Sequence, residues 1–121
     1  MSIHILVVDD NEVNMMLVAK ILEMEGFHTS TACCGRDAIQ SVIQLKPDLV
    51  ILDVNMPDMN GYAVCKQLRE PPISATMPVV MLTATAEESD RRLALAAGAN
   101  DMIPKPFDME DLRSRVRALL P

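Results

Sequence analysis

Short apolar runs alternate with helically spaced apolar residues five times along this chain, and that alternation leaves few architectures open. Ile3 to Val8 is apolar apart from His4, and Val13, Leu17, Ile21 and Met24 follow at helical spacing up to a stop at Gly26. Phe27 to Ala32 reads as a weaker second strand, and Ala38, Ile39, Val42 and Ile43 mark a second helix that ends before Pro47. Leu49 to Leu52 has no polar alternation at all, the pattern of a strand buried on both faces. The turn-rich MPDMNGY leads into a third helix with Val64, Cys65 and Leu68 on one side, and EPPISATMP is the longest irregular stretch. Val79 to Leu82 is the fourth strand, Glu87 to Ala97 an alanine-rich fourth helix closed by Gly98, and Asp101 to Ile103 a short fifth strand. Met109, Leu112, Val116 and Leu119 give the last helix an apolar face.

Strands alternating with short helices predict an α/β fold with a parallel sheet and helices on both faces, because parallel neighbours require right-handed crossovers. A chain of 121 residues accommodates one such domain, taken as residues 1–121. In sheets of this kind ligands bind beyond the carboxyl ends of the strands, so those ends are where chemistry is sought.

They carry Asp9 and Asp10 after the first strand, Asp53 after the third, Thr83 after the fourth and Lys105 after the fifth. Acids and lysines are almost never buried without partners, so three carboxylates and one ammonium beside a dry sheet need mutual compensation. Their formal charges sum to −2, which a single divalent cation neutralises. The donors are hard oxygens with no His or Cys among them, which favours Mg2+ or Mn2+ over zinc. Mg2+ takes one or two carboxylates plus a phosphate oxygen, and Lys105 with the Thr83 hydroxyl suits the remaining phosphoryl oxygens.

Composition narrows the partners. The net charge is −6, with 17 acids against 11 Lys and Arg, which argues against direct nucleic-acid contact. No apolar run approaches about 18 residues and no charged-then-apolar leader is present, so neither a membrane span nor export is expected. Cys33 and Cys34 are neighbours that do not readily bridge each other, and Cys65 makes the number odd; reduced thiols in a cytoplasm, acting as small buried or half-buried hydrophobes, are the expectation.

VVDD at Val7 to Asp10, LDVNMPDMNG at Leu52 to Gly61, TA at Thr83 and Ala84, and AGANDMIPKPF at Ala97 to Phe107 resemble the receiver domain of two-component response regulators, over essentially the whole chain. The resemblance implies a five-stranded, doubly wound sheet of flavodoxin-like order 2-1-3-4-5. It implies a phosphoryl group received on Asp53 from a sensor histidine kinase or a histidine phosphotransfer protein. Asp9, Asp10 and Asp53 then match the metal site, joined by the main-chain carbonyl of Asn55. Thr83 matches the switch hydroxyl and Lys105 the lysine that contacts the phosphoryl group. A cis Lys105–Pro106 peptide is implied as well, and so is a switching surface formed by the fourth helix, fifth strand and fifth helix. That surface would control an output partner, a fused output domain or a phosphorylation-dependent homodimer. The chain departs from the family at Met102, where Tyr or Phe is usual; a thioether would fill the space that a ring would otherwise enter.

Blander readings exist for each residue. Asp9 suits the positive end of a helix dipole, Thr83 or a residue near Thr85 and Ala86 could cap the fourth helix, and Lys105 could be a surface lysine between two prolines. The convergence of all of them on one sheet edge favours the phosphoacceptor reading. His4 and His28 read as partly exposed strand residues, having no acids or cysteines at metal spacing. Three rivals share the architecture. A phosphohydrolase resembling the haloacid dehalogenases would need D-x-D after the first strand, where this chain has DDNE. A flavodoxin-like cofactor binder would need a Ser/Thr/Gly-rich phosphate loop where NEVN stands. A degenerate receiver used only for contacts would lack part of the acidic and basic set. Output stays open: no helix-turn-helix, cyclase or kinase module follows RVRALLP, which fits a stand-alone relay or a segment of a larger regulator.

Overall fold

A computed structural model describes residues 3–70, 76–84 and 87–120. Five strands, β1 (His4–Val8), β2 (His28–Ala32), β3 (Leu49–Asp53), β4 (Val79–Thr83) and β5 (Asp101–Pro104), alternate with five helices. These are α1 (Glu12–Met24), α2 (Gly35–Leu45), α3 (Gly61–Arg69), α4 (Glu88–Ala97) and α5 (Met109–Leu119). All strand pairs are parallel, in the order β2-β1-β3-β4-β5. The chain leaves β1 in one direction to reach β2 and then returns past it to β3, so the strand order reverses between β1 and β3. Loops diverge there and leave a crevice.

The period of two along each strand divides the core. Leu6, Val8, Val50, Leu52, Val79, Met81 and Met102 face one layer, against Ala38 and Val42 of α2, Val64, Cys65 and Leu68 of α3, and Ala94 and Ala97 of α4. Ile5, Val7, Leu49, Ile51, Val80, Leu82 and Ile103 face the other, against Val18, Ile21 and Leu22 of α1 and Leu112 and Val116 of α5. Central strands buried on both sides must be apolar throughout, which is why the run at Leu49 to Leu52 lacks alternation.

Several helix faces differ from their sequence reading. In α1 the buried residues are Val18, Ala19, Ile21 and Leu22, while Val13, Leu17 and Met24 are 75%, 49% and 65% exposed. Met15 through Ala19 is apolar without a break, so the period alone does not choose which side of this helix faces the sheet. Ile43 and Met109 are likewise exposed, at the margins of faces centred on Val42 and Leu112. The stripe of α3 is as expected. β2 begins at His28, with Phe27 packed against the layer of α1 and α5. Gly98, at φ 99°, closes α4 in the left-handed region that favours glycine. Of the irregular stretch before β4, residues 71–75 lie outside the described residues, as do Thr85 and Ala86 with the cap expected near them.

Candidate functional site

The crevice collects the strand-end residues. Asp9 directly follows β1 and is 1% exposed; its N–H donates to the Ala32 carbonyl at 3.2 Å. Its Oδ1 accepts the Asn11 N–H at 2.9 Å, and its Oδ2 accepts from Lys105 Nζ at 3.2 Å. Asp9 therefore serves the entry to α1 and the crevice together. Asn11 takes over the capping itself, accepting from Asn14 N–H at 3.0 Å.

Asp53 is the last residue of β3, 4% exposed, and its Oδ1 accepts from Lys105 Nζ at 3.0 Å. Lys105 thus bridges two buried carboxylates that lie 44 positions apart in sequence, from the cis Lys105–Pro106 turn after β5. Burial pushes the Asp53 carboxyl up to about 6; the Lys105 hydrogen bond opposes this and the charge of Asp9 adds to it. Burial pulls the Lys105 ammonium down, but its hydrogen bonds and charge pairing with Asp53 and then Asp9 outweigh that, and it stands above the ordinary lysine value. One ammonium does not satisfy this cluster. Asp10 is exposed, and its carboxylate comes within 4.8 Å of those of Asp9 and Asp53. Three hard-oxygen donors with a residual charge of −2 fit a divalent cation such as Mg2+ by the chemistry of the donor set.

Asn55 is exposed and shares with Asp10, Val54, Met56, Pro57 and Asn60 a hollow of about 310 Å3 beside the acids. Thr83 ends β4 and is 3% exposed; it follows Leu82, the ladder partner of Asp53, and its carbonyl accepts the Lys105 N–H at 2.6 Å. It does not cap α4, which is preceded by Glu87 in the N-cap position. Met102 sits on β5 opposite Met81 and is 3% exposed, so its thioether already lies inside the layer that contains Ala94 and Ala97. The two histidines read correctly: His4 Nε2 pairs with Ser30 Oγ at 2.7 Å, and His28 is exposed.

Residues that sequence reading passed over hold the β3–α3 loop in place. Asp58 accepts the N–H groups of Gly35 and Arg36 through its two oxygens, at 2.9 and 3.0 Å, and these bonds hold its carboxyl below the usual range. Asn60 caps α3 by accepting the Tyr62 N–H at 2.7 Å. Gly61 comes so close to the backbone that its N–H reaches the Val54 carbonyl at 2.7 Å. An Asx residue just before a helix was the available signal for Asn60. Nothing local announces Asp58, whose partners are 23 and 22 residues away.

The response regulator receiver domain model matches residues 5–117. The chain belongs to that family. It is 42% identical over 99% of its length to the alkaline phosphatase synthesis transcriptional regulatory protein PhoP of Bacillus subtilis, of which it covers 49%. Among solved structures, chemotaxis protein CheY4 of Vibrio cholerae superposes with a TM-score of 0.94 at 30% identity, covering 99% of this chain and 100% of that one. The signal receiver domain of a signal transduction histidine kinase from Syntrophus aciditrophicus has a TM-score of 0.90 at 38% identity, covering 98% and 90%. The receiver spans about half the length of the first curated relatives it matches. No described helix is long and apolar enough to cross a membrane.

Proposed function

We propose that Asp53 of this receiver accepts a phosphoryl group from the phosphohistidine of a sensor histidine kinase or histidine phosphotransfer protein, with residues 1–121 acting as one unit in the cytoplasm. The observation that carries this reading is the Lys105 ammonium held 3.2 and 3.0 Å from the Asp9 and Asp53 carboxylates, with a third carboxylate in reach. A carboxyl titrating near 6 is mostly ionised at neutral pH, so Asp53 offers a nucleophilic oxygen. That oxygen bonds to phosphorus as the P–N bond to imidazole breaks, and the imidazole takes up a proton. Lys105 and the Thr83 hydroxyl meet the phosphoryl oxygens as charge and hydrogen-bond donors. Asp9, Asp10, Asp53 and the Asn55 carbonyl would hold Mg2+ or Mn2+, which when bound supplies positive charge against those oxygens. The same residues assist gain and loss of the phosphoryl group on Asp53.

The donor approaches over a hollow of about 330 Å3 formed by Asn14, Leu17, Ala84, Lys105, Pro106 and Phe107. Its rim continues into the exposed Val13 and Met16 of α1, an apolar surface suited to a helical partner. A phosphoryl group on Asp53 then draws Thr83 inward. Met102 repacks against α4, and the face of α4, β5 and α5 changes for an output partner, a fused output domain or a second copy. Of the relatives, one is named a transcriptional regulatory protein and another a chemotaxis protein, so outputs of either kind suit this reading. Acetyl phosphate with Mg2+ should add one acid-stable, alkali-labile phosphoryl group per chain. Equal labelling of Asp53→Asn would remove the assignment.

A further inference from the structure

Of the two adjacent cysteines, only Cys33 departs from the buried or half-buried position that the sequence suggests. Cys33 is exposed and Cys34 half-buried, at the turn where β2 gives way to α2. Cys34 occupies the N-cap of α2, yet its side chain makes no capping bond. The reason lies across the crevice, where Asp58 already accepts the N–H groups of Gly35 and Arg36. Relieved of capping, the Cys34 thiol falls in with Cys33 and with Asp37, three residues along the first turn. Sulfur and carboxylate atoms of the three all lie within 4.8 Å of one another, and Cys33 Sγ is 3.6 Å from Asp37 Oδ2. Tetrahedral zinc with two sulfurs and an oxygen sets its donors about 3.5–3.8 Å apart, so a small closing movement completes the set.

We propose that Cys33, Cys34 and Asp37 form a second cation site on this receiver, selective for a soft divalent ion such as Zn2+ and separate from the hard-oxygen pocket around Asp53. Two thiolates and one carboxylate are the donors of a zinc-class site, where the Asp53 pocket offers oxygen alone. Binding releases the thiol protons of Cys33 and Cys34 to solvent and leaves a fourth position for water. The N-terminal end of α2 favours the anionic donors. The adjoining hollow of about 390 Å3, lined by Met15, Cys33, Asp37 and Gln40 among others, leaves the ion open to solvent exchange. The site is also one hydrogen bond from each wall of the acidic crevice, through Ala32 to Asp9 and through Gly35 to Asp58.

The test is titration of the reduced chain with Cd2+, which reports thiolate bonding through a near-ultraviolet charge-transfer band, followed by competition with Zn2+. The expected result is saturation at one equivalent, displacement by Zn2+ and indifference to excess Mg2+. Cys33→Ser and Cys34→Ser should each lose most of the band and weaken binding by at least about 100-fold, more than a lost outer partner costs. Asp37→Asn should keep the band and bind more weakly, and Cys65→Ala should match the parent. Retained circular dichroism and acetyl phosphate labelling of the serine variants would show that they are folded. A band that survives in both serine variants, a Cd2+ ion displaced by Mg2+, or no saturable binding by the parent chain would overturn the site.

Discussion

Replacing Gly61 with alanine sets two effects of opposite sign against each other. Alanine in place of glycine at a helix start normally stabilises by about 0.4–1 kcal/mol, through helix propensity and a less flexible unfolded chain. At Gly61, however, a Cβ would stand 2.3 Å from the Asp53 carbonyl oxygen, 2.8 Å from Val54 Cα and 3.0 Å from Met81 Cε. A carbon meets a carbonyl oxygen comfortably at about 3.3 Å or more, so the backbone beneath Asp53 must retreat by about 1 Å. Backbone in the central strand cannot rotate away as a side chain can, and overpacking of this kind costs about 1–3 kcal/mol or more. The clash therefore wins, with a net loss of about 1–2 kcal/mol or more. For a domain with a urea m value of about 1–3 kcal/mol/M, the midpoint should fall by on the order of 1 M at unchanged m. Because the displaced carbonyl belongs to Asp53 itself, labelling by acetyl phosphate should slow as well. A midpoint equal to or above that of the parent would refute the reasoning.

Three further outcomes are expected. Without divalent metal, stability relative to Asp53→Asn should decline as pH rises from about 4 to about 6, because the folded carboxyl, at about 6, holds its proton where the unfolded one has released it. The pH-dependent loss should be about 2 kcal/mol, less than the roughly 3 kcal/mol of an undiluted shift, and a flat difference across that window in urea titrations would contradict it. Met102→Ala empties a buried position and should cost about 2–4 kcal/mol while leaving Asp53 labelling intact. On adding beryllofluoride it should show smaller amide shifts over Glu88 to Ala97 than the parent; identical shifts would deny Met102 its part in the switch. Arg69 donates to the carbonyls of Gly98 and Met77 and to Asn100 Oδ1, so Arg69→Met should cost about 1–3 kcal/mol and move the amide resonances of the α4–β5 turn, and an unchanged denaturation midpoint would exclude this.

Legibility in the sequence followed physical uniqueness. β3 was readable because burial on both faces admits only an apolar run, and the strand-end residues were readable because a parallel sheet sends every such end to one edge. The side of α1 that faces the sheet was not, since Met15 to Ala19 offers apolar residues all round and only packing selects among them. The clamp from Asp58 to α2 depends on two loops meeting in space, which no local window contains. Met102 stands out in its motif where an aromatic ring is usual, but its starting position inside the core is a packing fact.

The thinness of the contact under α4 has a kinetic consequence. This helix buries only Ala94 and Ala97, and its larger residues Leu93 and Leu95 face outward, whereas α3 buries Val64, Cys65 and Leu68. A buried methyl contributes about 0.8 kcal/mol against about 1.5–3 kcal/mol for a buried valine or leucine, so α4 is attached by a small fraction of the total folding free energy. Such an element is expected to open locally ahead of the rest of the sheet. Its amides should exchange with solvent long before those of β3, and the population in which α4 is loose is a reservoir of alternative surfaces present before any signal arrives.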